Sequence, residues 1–297
     1  MMTFSKTLWQ FSRPHTIVGS TVSIGALYAI AVKTAAVPPQ TPLFLLTLVS
    51  AICCNIFIVG LNQYVDVELD CINKPDLPMP AGKLTKKTAL VIILVSLVLS
   101  LAVAATQSGF LLLLIGTINL IGAAYSLPPI HLKRHYSWAA LSITLVRGIL
   151  VNLGMTLHFF YVLTGKYQLP GHIIPLTVFV VGFSLGIAWF KDIPDTEGDA
   201  QFRFKTLALA LSKQAAFNAG VVAVSLSYLV LLVSPFFVDM PINKGFYWLF
   251  EGMGLVAFLV TAYRLNLNEK LAVKQFYMLF WGLFFLQYFI YPLSYFL

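Results

Sequence analysis

The chain has 297 residues, 59% of them hydrophobic and only 10% charged, with a mean hydropathy of +0.86. An ordinary soluble domain carries roughly 25% charged residues, so a soluble enzyme is excluded. The net charge of +8 is confined almost wholly to the segments between apolar runs, which points to membrane orientation and local anion binding and gives no argument for nucleic acid.

Apolar runs of about 20 residues, each able to cross a ~30 Å hydrocarbon core as a helix, recur along the whole chain. Ahead of the first, Met1 to Arg13 lacks the apolar stretch and small-residue cleavage site of a signal or transit peptide, so none is expected. Nine spans are predicted, over 15–33, 42–61, 88–106, 109–126, 138–160, 172–190, 216–236, 245–263 and 276–296. With the N-terminus inside, fifteen Lys and Arg residues fall in inner segments; Lys33, Lys166 and Lys244 fall outside and Arg147 within span 5. That asymmetry predicts N-terminus inside, C-terminus outside. The expected fold is an all-α polytopic membrane bundle forming one intramembrane domain over 1–297. Two similar four-helix halves, about 15–135 and 138–263, would precede the final helix at 276–296. Cys53, Cys54 and Cys71 show no C-x-x-C spacing, which supports neither a disulfide framework nor a zinc site.

Between spans 2 and 3 lie Asp66, Glu68, Asp70 and Asp76, and between spans 6 and 7 lie Asp192, Asp195, Glu197 and Asp199. Eight of the eleven acidic residues thus occupy two inner segments, where a lone cluster would read as a solvated loop. Asn62, Asp66 and Asp70 are spaced i, i+4, i+8, and Asp192, Asp195 and Asp199 are spaced i, i+3, i+7, so each set shares one helical face. Like charges at that spacing repel, and a cation is needed to offset them. Carboxylates with little His or Cys nearby suit a hard, oxygen-preferring ion such as magnesium, which binds through a few carboxylates plus substrate phosphates. Basic residues for phosphate oxygens are interleaved: Lys74, Lys83, Lys191 and Lys205 in the same loops, Lys133 and Arg134 in the loop between spans 4 and 5. A diphosphate fits that mixture, and the apolar surroundings predict a hydrocarbon chain for the remainder of the substrate.

These motifs resemble those of the UbiA superfamily of intramembrane aromatic prenyltransferases. The family's N-x-x-x-D-x-x-x-D is matched by Asn62, Asp66 and Asp70, and its D-x-x-D-x-x-x-D by Asp192, Asp195 and Asp199. Phe11 to Thr16 and Tyr125 to Pro129 extend the likeness along the chain. The resemblance implies a nine-helix bundle with a central cavity and Mg2+ bridging both motifs to a prenyl diphosphate. It also implies an aromatic acceptor, and no obligatory protein partner is evident. Within the superfamily, Asn62-Gln63, the segment from Asp66 to Asp70 and Ile72 to Pro75 resemble the homogentisate phytyltransferases of tocopherol biosynthesis. That likeness implies loss of carbon dioxide and a cyanobacterial-type cell or thylakoid membrane; the charge asymmetry predicts the motif loops on the cytoplasmic side. Leu77-Pro78 stands where many quinone-pathway members have Arg-Pro, so that arginine's phosphate role would pass to Lys74 or Lys83. A geranylgeranyl, solanesyl or other aromatic-acceptor transferase is the alternative within the family; a secondary transporter with carboxylate ion sites is the alternative outside it.

Asp66, Asp70, Asp192, Asp195 and Asp199 are therefore expected to be catalytic through the metal. Tyr125 and Tyr64 are the candidate rings to face an allylic cation. Arg147, alone among basic residues inside a span, is expected to grip an acceptor carboxylate or else to snorkel. Arg13 and His15, where span 1 begins, are further acceptor candidates, His15 with a cap as its other reading. His158 is placed nearer the outer surface, and Asp239 and Glu251 are expected to matter little.

Overall fold

The computed structural model describes residues 4–297. Among the described residues nine helices are long and apolar enough to cross a membrane: Pro14–Ala35, Thr41–Val65, Lys86–Gln107, Gly109–Ser126, Tyr136–Thr164, Ile173–Phe190, Lys213–Phe236, Lys244–Tyr263 and Lys270–Phe296, numbered here as spans 1 to 9. Each predicted span falls within one of them or within a residue of its ends. The starts follow local chemistry. Pro14 opens span 1, where its missing N–H is no loss. The side chains of Thr85, Ser108, Ser212 and Asn243 accept from the free amides of Thr88, Leu111, Ala215 and Phe246.

Each span packs against the next, and span 9 returns to span 1, so the bundle closes on itself. The inward faces carry Leu27, Phe159, Phe179, Phe183, Phe280 and Trp281, all essentially inaccessible. The outward faces show Val98, Leu113, Leu120 and Val256 well exposed, a surface that a water-soluble protein would not tolerate and that lipid covers. Span 5 departs from α-helix between Thr144 and Gly154, where it widens into π-helix. The Asn152 amide donates to the Arg147 and Gly148 carbonyls, five and four residues back, and fills the widened turn.

His158 lies toward the end of span 5 away from the motifs and is fully buried, within 3.1 Å of Thr47 through Nε2 and of Ser108, at the junction of spans 3 and 4, through Nδ1. One expectation about a single residue needs correction. Glu251 is not inert: it is fully buried in span 8, where Gln287 of span 9 donates to its Oε1 at 2.8 Å and its Oε2 has no partner among the described residues. Removing one partner of a buried hydrogen bond leaves the other unsatisfied and opens a cavity. Glu251→Ala should therefore destabilise by about 2–4 kcal/mol, and Glu251→Gln by under about 1 kcal/mol. Thermal melts of the purified protein in detergent check this; equal midpoints for wild type and Glu251→Ala would refute it.

Candidate active site

Span 2 ends at Val65, the chain turns at Asp66, and a short helix, Val67–Asn73, continues from it. The i to i−4 bonds survive the turn, with the Asp66 amide on the Asn62 carbonyl at 3.1 Å and the Asp70 amide on the Asp66 carbonyl at 2.7 Å. Asn62, Asp66 and Asp70 therefore keep one face through the kink, and all three line the same cavity. Span 6 likewise ends at Phe190, and after a turn through Pro194 the short helix Thr196–Gln201 carries Asp199. Asp192, Asp195 and Asp199 line that cavity too.

An asparagine that sequence reasoning quoted but did not use brings the two segments together. Asn73 donates to Asp199 Oδ1 at 3.2 Å and accepts from the Gly198 amide at 3.0 Å. A Cβ on Gly198 would stand 2.5 Å from Asn73 Oδ1, so only glycine permits this approach. The signal was present in the sequence as a glycine inside the second motif, but its partner, 125 residues earlier, was not.

Three lysines hold three of the motif carboxylates. Lys133 Nζ lies 2.6 Å from Asp66, Lys191 Nζ lies 2.5 Å from Asp192, and Lys74 pairs with Asp195 across the two segments. Burial lowers the Lys133 pKa, and the Asp66 carboxylate offsets this only in part. Burial also works against the Lys191 ammonium, but the adjoining Asp192 carboxylate holds its pKa well above the usual range. Asp199 is pushed up to about 7, first by burial and then by the Asp192 carboxylate. Asp70 is raised chiefly by burial. These carboxylates are short of positive charge even with the lysines in place.

The same cavity, about 800 Å³, is also lined by Arg13 and His15, where span 1 begins, and by Asn55, Arg147, Trp281 and Tyr288. The Arg147 guanidinium faces the Trp281 ring at 4.8 Å and the Phe284 ring at 5.5 Å. Among the described residues no carboxylate pairs with it. It opens onto the cavity, so the snorkelling alternative does not hold. His15 meets Trp281 edge-on at 5.1 Å and makes no cap. Asn55, which sequence reasoning missed, is within hydrogen-bond reach of Thr16 Oγ1 and donates to Ser20 Oγ, making a polar seam between spans 1 and 2.

Tyr125 lines the cavity as well; Tyr64 does not, packing instead with Phe57 and Leu61. Three expected phosphate contacts are not brought in. Lys83 is exposed on its loop. Arg134 is exposed, donating to the Phe202 carbonyl and lying over the Phe204 ring. Lys205 uses its backbone to bond the Arg134 carbonyl and the Tyr136 amide, tying two loops together while its side chain faces out.

The chain matches the UbiA prenyltransferase family over residues 21–284. It is a member of that family. Homogentisate phytyltransferase of Synechocystis sp. is 38% identical over 97% of this chain and 95% of its own length. Homogentisate geranylgeranyltransferase of Triticum aestivum is 32% identical over 97% and 72%, and homogentisate solanesyltransferase of Arabidopsis thaliana 30% over 97% and 76%. A UbiA homologue from Archaeoglobus fulgidus, solved bound to GPP and Mg2+, superposes with a TM-score of 0.65 at 16% identity, covering 96% of this chain and 99% of that one.

The chemistry of the donors fits a divalent ion in this UbiA-family chain. The motif faces offer carboxylate and amide oxygens with no thiol or imidazole among them. Asp70 Oδ2 is buried without a hydrogen-bond partner among the described residues. Among the described residues no three acidic, His or Cys side chains converge on one point. Asp66, Asp192 and Asp195 point instead at lysines, which would have to turn away before these carboxylates could ligate a metal.

Proposed function

We propose that this multi-pass membrane protein transfers a prenyl group, phytyl or another of about that size, from its diphosphate to homogentisate with loss of carbon dioxide. The observation that carries the reading is one continuous cavity. It joins both aspartate motifs and three lysines at one end to an apolar interior holding an arginine that, among the described residues, has no carboxylate partner. The motif end is read as facing the cytoplasm, because the basic residues cluster there.

Asn62, Asp66 and Asp70 from one segment and Asp192, Asp195 and Asp199 from the other would hold Mg2+, which when bound supplies charge neutralisation to the departing diphosphate. Lys74, Lys133 and Lys191 meet the phosphate oxygens from the same end. The bond from the prenyl C1 to oxygen breaks with its electron pair leaving on the diphosphate, and an acceptor ring carbon forms the new bond to C1. The ring gives up one proton at that carbon, and the side-chain carbon that loses carbon dioxide takes one up. Tyr125 and the apolar walls keep water from the allylic cation between those events. Arg147, with Arg13 and His15 near it, binds and orients the acceptor carboxylate, which would be costly to bury unpaired.

Purified protein in detergent, given carboxyl-labelled homogentisate, phytyl diphosphate and Mg2+, is expected to release labelled carbon dioxide and prenylated quinol in equal amounts, with no membrane gradient. Exhaustive chelation should remove the activity and added Mg2+ restore it. Full activity after chelation would overturn the two-motif site, and no product under any condition would overturn the reaction.

A further inference from the structure

The relatives include a geranylgeranyl and a solanesyl transferase, so prenyl length varies among proteins similar to this one. The far end of the cavity has a consequence for that length. Its lining stops at Ile24, Ala51, Ile115 and Met155, contributed by spans 1, 2, 4 and 5. Beyond them Leu27, Thr47, Leu111 and Phe159 are fully buried and contribute nothing to the lining. His158, bridging Thr47 and Ser108, ties spans 2, 4 and 5 together behind that wall. The apolar arm is blind at this end.

Its reach follows from the helix carrying Asp66 and Ala51. Fifteen residues at 1.5 Å each give about 22 Å from the motif to the floor. An extended prenyl chain built of ~1.5 Å bonds advances about 1.25 Å per main-chain carbon, so a C20 group reaches about 20 Å and a C45 group about 45 Å. The longer chain exceeds even the ~30 Å hydrocarbon core. The cavity of about 800 Å³ holds the motif end and the acceptor end as well as this arm, so the reach of the arm, not the total volume, sets the limit.

We propose that Ile24, Ala51, Ile115 and Met155 are the specificity-determining floor that limits this chain to prenyl diphosphates of about twenty carbons. This rests on the prenyl-transfer reading above. The test is kcat/KM for homogentisate prenylation with geranyl (C10), geranylgeranyl (C20) and solanesyl (C45) diphosphates. Wild type should favour C20 over C45 by about a hundredfold or more, and the double variant Ile115→Ala, Met155→Ala should narrow that ratio at least about tenfold. Filling the arm with Ala51→Phe should lower C20 use about tenfold or more while C10 use, which needs no floor, stays within about threefold. Wild type using C45 as well as C20 would overturn the proposal, as would a double variant that keeps its C20 activity with the ratio unchanged. If Ala51→Phe fails to fold, shown by loss of C10 use and of its melting transition, the double variant decides alone. Absence of transfer from every chain length would instead overturn the reaction itself.

Discussion

Asp66→Ala and Asp195→Ala are each expected to lower turnover by at least about a thousandfold while the protein still inserts and folds. Losing carboxylates that hold a divalent ion forfeits several kcal/mol of charge stabilisation at the departing diphosphate. Both lie in the cavity, one on each segment, and each is engaged by a lysine from elsewhere in the chain. Those lysines complicate the experiment. Lys133 is buried, and without Asp66 its ammonium is left unpaired, which carries its own cost. Asp66→Asn, which keeps the shape and one acceptor oxygen, separates the effects: it should preserve more of the melting temperature than Asp66→Ala and lose as much turnover. Asp239→Ala, on an exposed loop away from the cavity, is the control and should change turnover less than about twofold. Equal loss in Asp239→Ala would mean that the motif carboxylates are no more than solvated charges.

Arg147→Ala should raise the KM for homogentisate by about 10- to 100-fold and leave the KM for the prenyl diphosphate within about twofold, the range expected for one hydrogen-bonded charge contact of 1.5–3 kcal/mol. The split follows from placement. Arg147 lies midway along span 5 over Trp281 and Phe284, while Lys74, Lys133 and Lys191, the proposed diphosphate contacts, lie beside the aspartate motifs. Arg147→Lys should recover only part of the loss, because an ammonium offers neither the planar fork nor the same stacking on two rings. A rise confined to the prenyl diphosphate would assign Arg147 to the metal end. Unchanged kinetics would leave it a packing residue.

Much of this was legible in the sequence, for physical reasons that act locally. A segment that crosses lipid must satisfy every backbone group within itself, so about 20 apolar residues announce a helix regardless of what surrounds them. All nine predicted spans are found for that reason. Helical spacing placed Asn62, Asp66 and Asp70 on one face, and Asp192, Asp195 and Asp199 on another. The kinks at Asp66 and Pro194 did not spoil either set, because the i to i−4 bonds pass through the first and a fresh turn of helix carries the second.

What spacing could not supply was the identity of partners brought from far along the chain. Lys83, Lys133, Arg134 and Lys205 look alike as basic residues in inner loops. Only packing put Lys133 against Asp66 and turned the other three outward, because the loop between spans 4 and 5 is pinned by its backbone to that after span 6. Glu251 looked like a stray charge, and the crossing of spans 8 and 9 made it a buried partner of Gln287. Sequence determined the number of spans and the chemistry of the two motifs, since periodicity and composition are properties of one helix at a time. Tertiary structure decided which lysine meets which aspartate, that Arg147 opens onto the cavity, and where the cavity stops. Those depend on side chains far apart in the chain, 67 residues for Lys133 and Asp66 and 121 for Lys74 and Asp195, competing for the same small space, and no local pattern records the outcome of that competition.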